Sequence, residues 1–404
     1  MFRLAYIVTH PIQYQAPLLR LLARNGIALK VFFLSDFSLH EHYEHDFSQT
    51  FKWDVPLTDG YAWEILPRWG IGASTPLHPH WPVQGLKRRL RDGCFDAVWI
   101  HGWGHVGLRQ AVRAAHALGL PVLLRGDSTP GSPVTRGLRE RLGDVWHRRL
   151  FEHVAGFLCI GSLNRQFYRQ LGAQDDRLFY MPYAVDNDGF QQSCRKAREY
   201  REKFRAELRL ARGRAVVLFA ARFIPIKAPQ DLLNAYLDLR HHWKNRNTGT
   251  PPYLLFVGDG PLRSELENRS KELAGDDVRF LGFRNQSEMP ALYDLCDVFV
   301  LPSHYEPWGL VVNEVMNAVK PVIVSDRVGA APDLVRSGAN GWVYPHGDIK
   351  ALSNILYNAL KSPAALKEMG RNSLRIIERW NFEADRKGLL QALDSVCDKR
   401  AATS

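Results

Sequence analysis

The sequence predicts an α/β chain built of two Rossmann-like domains facing each other across a cleft. Three observations carry that expectation. Apolar, β-branched runs of strand length alternate with helix-period stretches along the whole 404 residues, the pattern of parallel sheets wrapped by helices. The alternation breaks at a turn-rich stretch, Pro182-Tyr183-Ala184-Val185-Asp186-Asn187-Asp188-Gly189, and then restarts. The length also suits two domains, each large enough to bury its own core.

Taken in order, the first series offers strands at 3–8, 29–34, 97–100, 121–124, 156–160 and 178–181, with helices at 16–24, 106–118, 137–153 and 163–171. Residues 36–82 interrupt it. They are rich in aromatics (Tyr43, Phe47, Phe51, Trp53, Tyr61, Trp63, Trp69, Trp81) and lack a clear period, so they read as an insertion that forms a binding loop or packs over the sheet. A charged helix at 195–210 follows the break. The second series then places strands at 215–220, 253–257, 278–281, 298–301, 322–324 and 341–344, and a last helix at 381–398. The chain divides into an N-terminal domain over 1–187, a C-terminal domain over 188–380 and a closing segment over 381–404 able to cross back to the first.

Hydrophobic content of 46% and charged content of 24% describe a globular protein. The five cysteines are odd in number, far apart and form no C-x-x-C, which argues against a disulfide framework or a zinc site and for a reducing compartment. The first apolar run, 4–8, is cut by Thr9-His10-Pro11 and is too short for a signal peptide. No apolar run reaches the roughly 18 residues a membrane span needs, so the expected location is cytoplasmic. The net charge is +11, and residues 85–150 hold twelve Lys/Arg against five acids. That stretch could meet an anionic lipid surface, a phosphorylated acceptor or nucleic acid, or be a solvated helix face. No nucleic-acid-binding motif accompanies it, which makes nucleic acid the weakest partner.

The chemistry concentrates in Glu306-Pro307-Trp308-Gly309-Leu310-Val311-Val312-Asn313-Glu314. A strand delivers the chain into a polar turn, and Gly309 opens a helix. Pro307 and the backbone N–H groups at Gly309, Leu310 and Val311 then form an anion site suited to a diphosphate. Glu306 lies in the loop before the helix and Glu314 about one and a half turns into it. Two acceptors at different depths suit a ligand with hydroxyls on both sides of a diphosphate, as in a nucleotide sugar. Just after the strand 215–220 stand Arg222, able to grip phosphate bidentately, and Lys227, a mobile charge. Gly258-Asp259-Gly260-Pro261 ends another strand and opens a helix at Pro261, its glycines allowing close ligand approach or serving only the turn. Phe283 and Arg284 end a further strand.

These segments, with Val328-Gly329-Ala330-Ala331-Pro332-Asp333-Leu334-Val335 and Asn340-Gly341-Trp342-Val343, resemble the retaining glycosyltransferases of family 4, of the GT-B fold, over roughly residues 155–390. The resemblance implies that Arg222 and Lys227 hold the diphosphate, Glu306 the donor sugar and Glu314 the ribose, with Phe283 and Arg284 bordering the base. Ala228 departs from the pattern, where a glycine is commoner. The first half is less similar. It lacks the usual glycine-rich donor loop and carries Thr9-His10-Pro11-Ile12-Gln13-Tyr14-Gln15-Ala16-Pro17, which resembles a subset of bacterial surface-polysaccharide transferases, those of lipopolysaccharide type included. His10 and Gln13 could contact donor or acceptor, or His10 could only cap the next helix. His101, in His101-Gly102-Trp103-Gly104-His105, stands where relatives carry a histidine near the reacting sugar. Asp127 could orient an acceptor hydroxyl or be a turn aspartate.

The expected reaction is sugar transfer from a nucleotide-diphosphate sugar to a glycan or lipid-linked acceptor, with no cofactor and no metal. Asp186-Asn187-Asp188 has the form of a D-x-D metal motif but reads as an interdomain turn. The alternatives are a nucleotide-sugar epimerase of the same fold, or a non-catalytic partner subunit.

Overall fold

The computed structural model describes residues 1–44, 49–68, 81–131, 147–245 and 249–401. It falls into two compact units, one comprising Met1–His42, Phe51–Asp186 and Asn381–Ser404, the other Tyr43–Thr50 and Asn187–Trp380.

The first unit holds a seven-stranded parallel sheet. Its strands are β1 (Phe2–Val8), β2 (Ile27–Phe33), β5 (Ala62–Ile65), β6 (Ala97–His101), β7 (Val122–Arg125), β8 (Gly156–Cys159) and β9 (Leu178–Tyr180), in the order β5-β2-β1-β6-β7-β8-β9. The short β3 (His42–Glu44) and β4 (Gln49–Phe51) pair separately. Leu4–Val8 of β1 are essentially inaccessible, as befits a central parallel strand covered on both faces. One face packs Ala5, Ile7, Val98, Ile100 and Leu124 against the helix Val106–His116. The other packs Leu4, Tyr6, Trp99 and Leu158 against the helix Ala16–Arg24 and the closing helix Phe382–Ala401, which contributes Phe382, Leu389, Ala392, Leu393 and Val396. The closing helix docks without a spacer: a Cβ on Gly388 would lie 1.8 Å from the Tyr180 carbonyl oxygen.

The second unit holds six parallel strands in the order β12-β11-β10-β13-β14-β15: β10 (Val216–Ala220), β11 (Tyr253–Val257), β12 (Val278–Phe280), β13 (Val298–Leu301), β14 (Val322–Ser325) and β15 (Gly341–Tyr344). Its core runs from Val217, Phe219, Phe223 and Phe256 to Leu352 and Leu356.

Three local expectations need correction. Part of the aromatic insertion is sheet: β5 pairs in parallel register with β2, Val31 opposite Trp63, a four-residue edge strand too short to show a period. The charged helix is two helices, Asn187–Glu199 and Arg201–Glu207, broken at Tyr200. Asp186-Asn187-Asp188 is therefore a helix start, with the Asn187 amide donating to the carbonyls of Ile377 and Trp380 at 3.1 Å each. And Pro261 sits in a turn; the helix begins two residues later, at Arg263. Phe47, Trp69, Arg136, Arg139, Glu140, Arg141, Asp144 and most of the helix expected at 137–153 lie outside the described residues.

Candidate active site

In an open parallel sheet, ligands gather at the carboxyl ends of the strands where the strand order reverses. In the second unit that point lies between β10 and β13, and the loops leaving these strands carry Arg222, Lys227 and Glu306. After β10 the chain makes a 3₁₀ turn, Pro225–Lys227, ending at Ala228 with φ 51°. That left-handed backbone is the physical reason a glycine is commoner there. The turn is tied to the loop after β13 by the His304 amide, which donates to the Ile226 carbonyl at 2.9 Å, and by the His304 ring, 2.6 Å from Asp231 Oδ2. Held in this way, the Lys227 ammonium forms an ion pair and hydrogen bond with Glu306, both side chains nearly buried. Sequence reading gave these two residues separate parts of a ligand and did not foresee their contact.

The Glu306 loop rests on the segment after β14. Glu306 N donates to Arg327 O at 3.0 Å, Gly329 N to Glu306 O at 2.9 Å and Ala330 N to Trp308 O at 2.9 Å. Gly309, at φ 91° and ψ 63°, then turns the chain into the helix Leu310–Asn317. This leaves the first N–H groups of the helix, at Leu310 and Val311, beside the Lys227–Glu306 pair in the sequence of the loop. Glu314 is on that helix. Tyr293 OH donates to its carboxylate at 2.5 Å, and burial pushes the carboxyl up to about 7.

Behind the loop runs a buried amide relay. Trp308 Nε1 donates to Asn313 Oδ1 at 2.9 Å, and Asn317 Nδ2 to the Asn313 carbonyl at 3.0 Å and to Asn187 Oδ1 at 2.8 Å. Trp308 also stacks on Trp380, ring centroids 5.2 Å apart.

The turns after β10, β11 and β12 are laced together by backbone. Phe223 N donates to Asp259 O at 2.8 Å and Gly258 N to Gly282 O at 2.9 Å. A Cβ on Gly258 would lie 2.1 Å from the Ala221 carbonyl oxygen. Gly258 thus serves the packing of the Arg222 loop, and Asp259 binds Arg263 at 2.6 Å. Arg284 pairs with Glu288 at 2.9 Å, and Phe283 beside it is half-buried.

In the first unit the strand order reverses between β1 and β6, which puts Thr9-His10 and His101 at one sheet edge. His101 closes β6 and is enclosed by side chains from three segments. Gln15 Nε2 lies 3.2 Å from each of its ring nitrogens, and Tyr183 OH 3.3 Å from Nε2. Tyr6 OH donates to Gln15 Oε1 at 2.5 Å. Burial first, then the nearby Arg125 and His10, lower the imidazole to about 3, so it is neutral at physiological pH. Arg125 reaches over the Tyr183 ring at 4.8 Å, donates to the carbonyls of Met181 and Pro182 at 3.0 and 2.8 Å, and pairs with Asp385 of the closing helix at 2.8 Å. Burial raises the Asp385 carboxyl to about 7 against the pull of that guanidinium. Arg125 is 1% exposed and so does not belong to the surface basic stretch in which its sequence position placed it. His10 bonds Thr9 at 2.9 Å and packs on Phe37, Gln13 is half-buried in the turn before Ala16, and Asp127 is exposed.

With both sheet edges in place, the comparisons decide the family. The model for "Glycosyl transferases group 1" matches residues 200–375 and that for "Glycosyl transferase 4-like domain" residues 11–184. A D-inositol 3-phosphate glycosyltransferase of Streptomyces scabiei is 30% identical over 351 residues, 82% of this chain and 73% of that one. The chain belongs to the group 1 glycosyl transferases. Spore coat protein SA of Bacillus subtilis is 31% identical over 187 residues, 44% of this chain and 48% of that protein. Two solved structures share the two-domain GT-B architecture. They are Anabaena HepE in complex with UDP and glucose (TM-score 0.70, 16% identity, 98% of this chain and 100% of that one) and sucrose-phosphate synthase of Thermosynechococcus elongatus (TM-score 0.71, 19% identity, all of both chains).

In this glycosyltransferase, sequence reading missed the supporting residues. Tyr293, Gln15, Tyr183 and Asn317 each lie outside the quoted motifs or beside the residue chosen from them. Gln15, within the same Thr9–Pro17 stretch as His10, is the one a search for polar side chains at the first strand end could have found.

Proposed function

We propose that this glycosyltransferase moves a sugar from a nucleotide-diphosphate sugar, with retention of anomeric configuration, to a glycan or lipid-linked acceptor of bacterial surface polysaccharide synthesis. The observation that carries the reading is the Lys227–Glu306 pair beside the start of the helix Leu310–Asn317. It puts a cation, a carboxylate and unpaired N–H groups where a diphosphate joined to a polyhydroxyl sugar finds all three. On this reading a bound donor exchanges the internal pair for its own contacts. Lys227, Arg222 and the helix start stabilise the departing diphosphate, Glu306 holds the sugar and Glu314 the ribose. Neutral His101, held by Gln15 and Tyr183, offers a hydrogen bond without adding charge, and His10, Gln13 and Asp127 serve the acceptor. Positive charge from these groups replaces that of a metal, and no resident cofactor takes part.

The chain has no helix among the described residues long and apolar enough to cross a membrane. Lys87, Arg88 and Arg91 of the helix Leu86–Asp92 are exposed, which supports peripheral attachment to an anionic inner membrane face, each basic residue adding about 1 kcal/mol. The test is a screen of nucleotide sugars with excess chelator and a glycolipid acceptor, followed by assignment of the product anomer. Product of inverted configuration, activity only with a divalent ion, or donor epimerised without acceptor would each overturn the corresponding part.

A further inference from the structure

The second unit also carries a cavity at the opposite edge of its sheet from Lys227 and Glu306. It lies at the amino ends of β13 and β14, beside Asp297 and Lys320, each a residue or two before its strand. Its volume is about 570 Å³, within the range of small-molecule sites. Four chain segments line it, and five cations converge there: Arg198 and Arg201 from the paired helices after the unit boundary, Lys320 from the loop into β14, and Lys367 and Arg371 from the helix Pro363–Ile377.

The local carboxylates do not balance them. Asp294 lies buried below, 3.1 Å from Arg198 and 4.0 Å from Arg201. Asp297 spends one oxygen on the Val216 amide at 2.8 Å, and Glu368 pairs with Arg371. Among the described residues Lys367 has no ion-pair partner. Lys320 is 8% exposed, donates to the Asp294 carbonyl at 2.6 Å, and burial lowers its affinity for its proton. The cavity is also met by a helix start. Pro363 is at the first turn of a 15-residue helix whose N-cap residue, Ser362, makes no side-chain cap bond, so the positive end of the helix adds to the excess. Val319, Pro321 and Leu366 supply an apolar wall. Converging cations without matching acids repel one another, the buried Lys320 most of all, and a bound anion relieves that repulsion.

We infer that this cavity is a second binding site, for a phosphate-bearing ligand, separate from the donor site and independent of the reading given to it. The phosphate could arrive on a soluble compound or on a lipid headgroup, and the measurement distinguishes the two. Calorimetry with inorganic pyrophosphate is run on wild type, on Lys227→Ala, and on the exposed triple variant Arg198→Ser/Lys367→Ser/Arg371→Ser in the Lys227→Ala background, which disables the donor site and sets the reference melting temperature. Wild type and Lys227→Ala should take up pyrophosphate, with affinity falling as salt rises, and the triple variant should bind at least tenfold more weakly while keeping its melting temperature. Cosedimentation with vesicles with and without an anionic phospholipid follows. Capture of wild type and not the triple variant, competed by pyrophosphate, assigns a lipid headgroup; pyrophosphate binding without capture assigns a soluble ligand. Absence of pyrophosphate binding in wild type, or its survival in the triple variant, overturns the site; vesicle capture that the triple variant keeps belongs to the basic face of the helix Leu86–Asp92 and leaves the ligand of this cavity a soluble one.

Discussion

Gly329→Ala tests how tightly the Glu306 loop is located. The glycine does not have a positive φ, so the added methyl brings no backbone strain of its own. It would, however, stand 1.9 Å from the Pro307 carbonyl oxygen, 2.6 Å from its carbon and 3.1 Å from Trp308 Cα. Ordinary carbon contacts need about 3.5 Å, and every obstructing atom is backbone, so the strands of chain must part by more than about 1 Å. That movement breaks or stretches the bonds from Gly329 N to Glu306 O and from Ala330 N to Trp308 O. Overpacking costs about 1–3 kcal/mol and each of the two lost hydrogen bonds about 1 kcal/mol, giving roughly 3–5 kcal/mol in all. The catalytic consequence should be larger, because a displacement of about 1 Å at a positioning loop can cost on the order of a hundredfold in rate. Urea denaturation gives the first quantity and initial rates of sugar transfer the second. A variant within about 0.5 kcal/mol and threefold of wild type would refute the claim that this contact locates Glu306.

Lys227→Ala and Arg222→Ala should each lower turnover about a hundredfold, as loss of a charge contact made in the transition state does, with the melting curve little changed for Arg222→Ala and lowered for Lys227→Ala, which leaves the nearly buried Glu306 without its counter-charge; near-normal turnover in both would remove the diphosphate assignment. Glu306→Gln should impair transfer while leaving nucleoside-diphosphate binding nearly intact, whereas Glu314→Gln should weaken that binding. A calorimetric titration showing the reverse would exchange the two roles. Glu314 also makes a pH prediction. Burial raises it to about 7 from an ordinary 4.5, so the folded domain retains a proton the unfolded chain has released. The stability this contributes is complete below about pH 4.5 and lost as pH rises through 7. Glu314→Gln should flatten the stability profile over that window, and an unchanged slope would place the titration elsewhere.

The parallel strands were legible because each is a continuous apolar run, and the loops that follow them carry the candidate site because strand ends in such sheets must. Glu306, Lys227 and Gly309 could be picked out by their places after β13 and β10. Their contacts could not. Lys227 meets Glu306 through a turn closed by His304 and Asp231, which depends on side chains far apart in the chain. Arg125 shows the limit from the other side. As a letter among basic neighbours it reads as surface charge, and only the closing helix, 260 residues later, makes it a buried cation. β5 was missed because four residues at a sheet edge, two of them exposed, leave no period to find.

The closing helix has a consequence for synthesis on the ribosome. The face of the first sheet bearing Leu4, Tyr6 and Trp99 is covered by Phe382, Leu389, Ala392, Leu393 and Val396, and Asp385 balances Arg125 beneath it. These residues are translated only after the whole of the second unit, Asn187–Trp380. While the chain emerges, the amino-terminal sheet must wait with an apolar face bare and a guanidinium unmatched, although the whole of the second unit can already have folded. Order of appearance and order of completion are therefore opposed, and the interval between them is when a chaperone, or a neighbouring nascent chain, has access to that face.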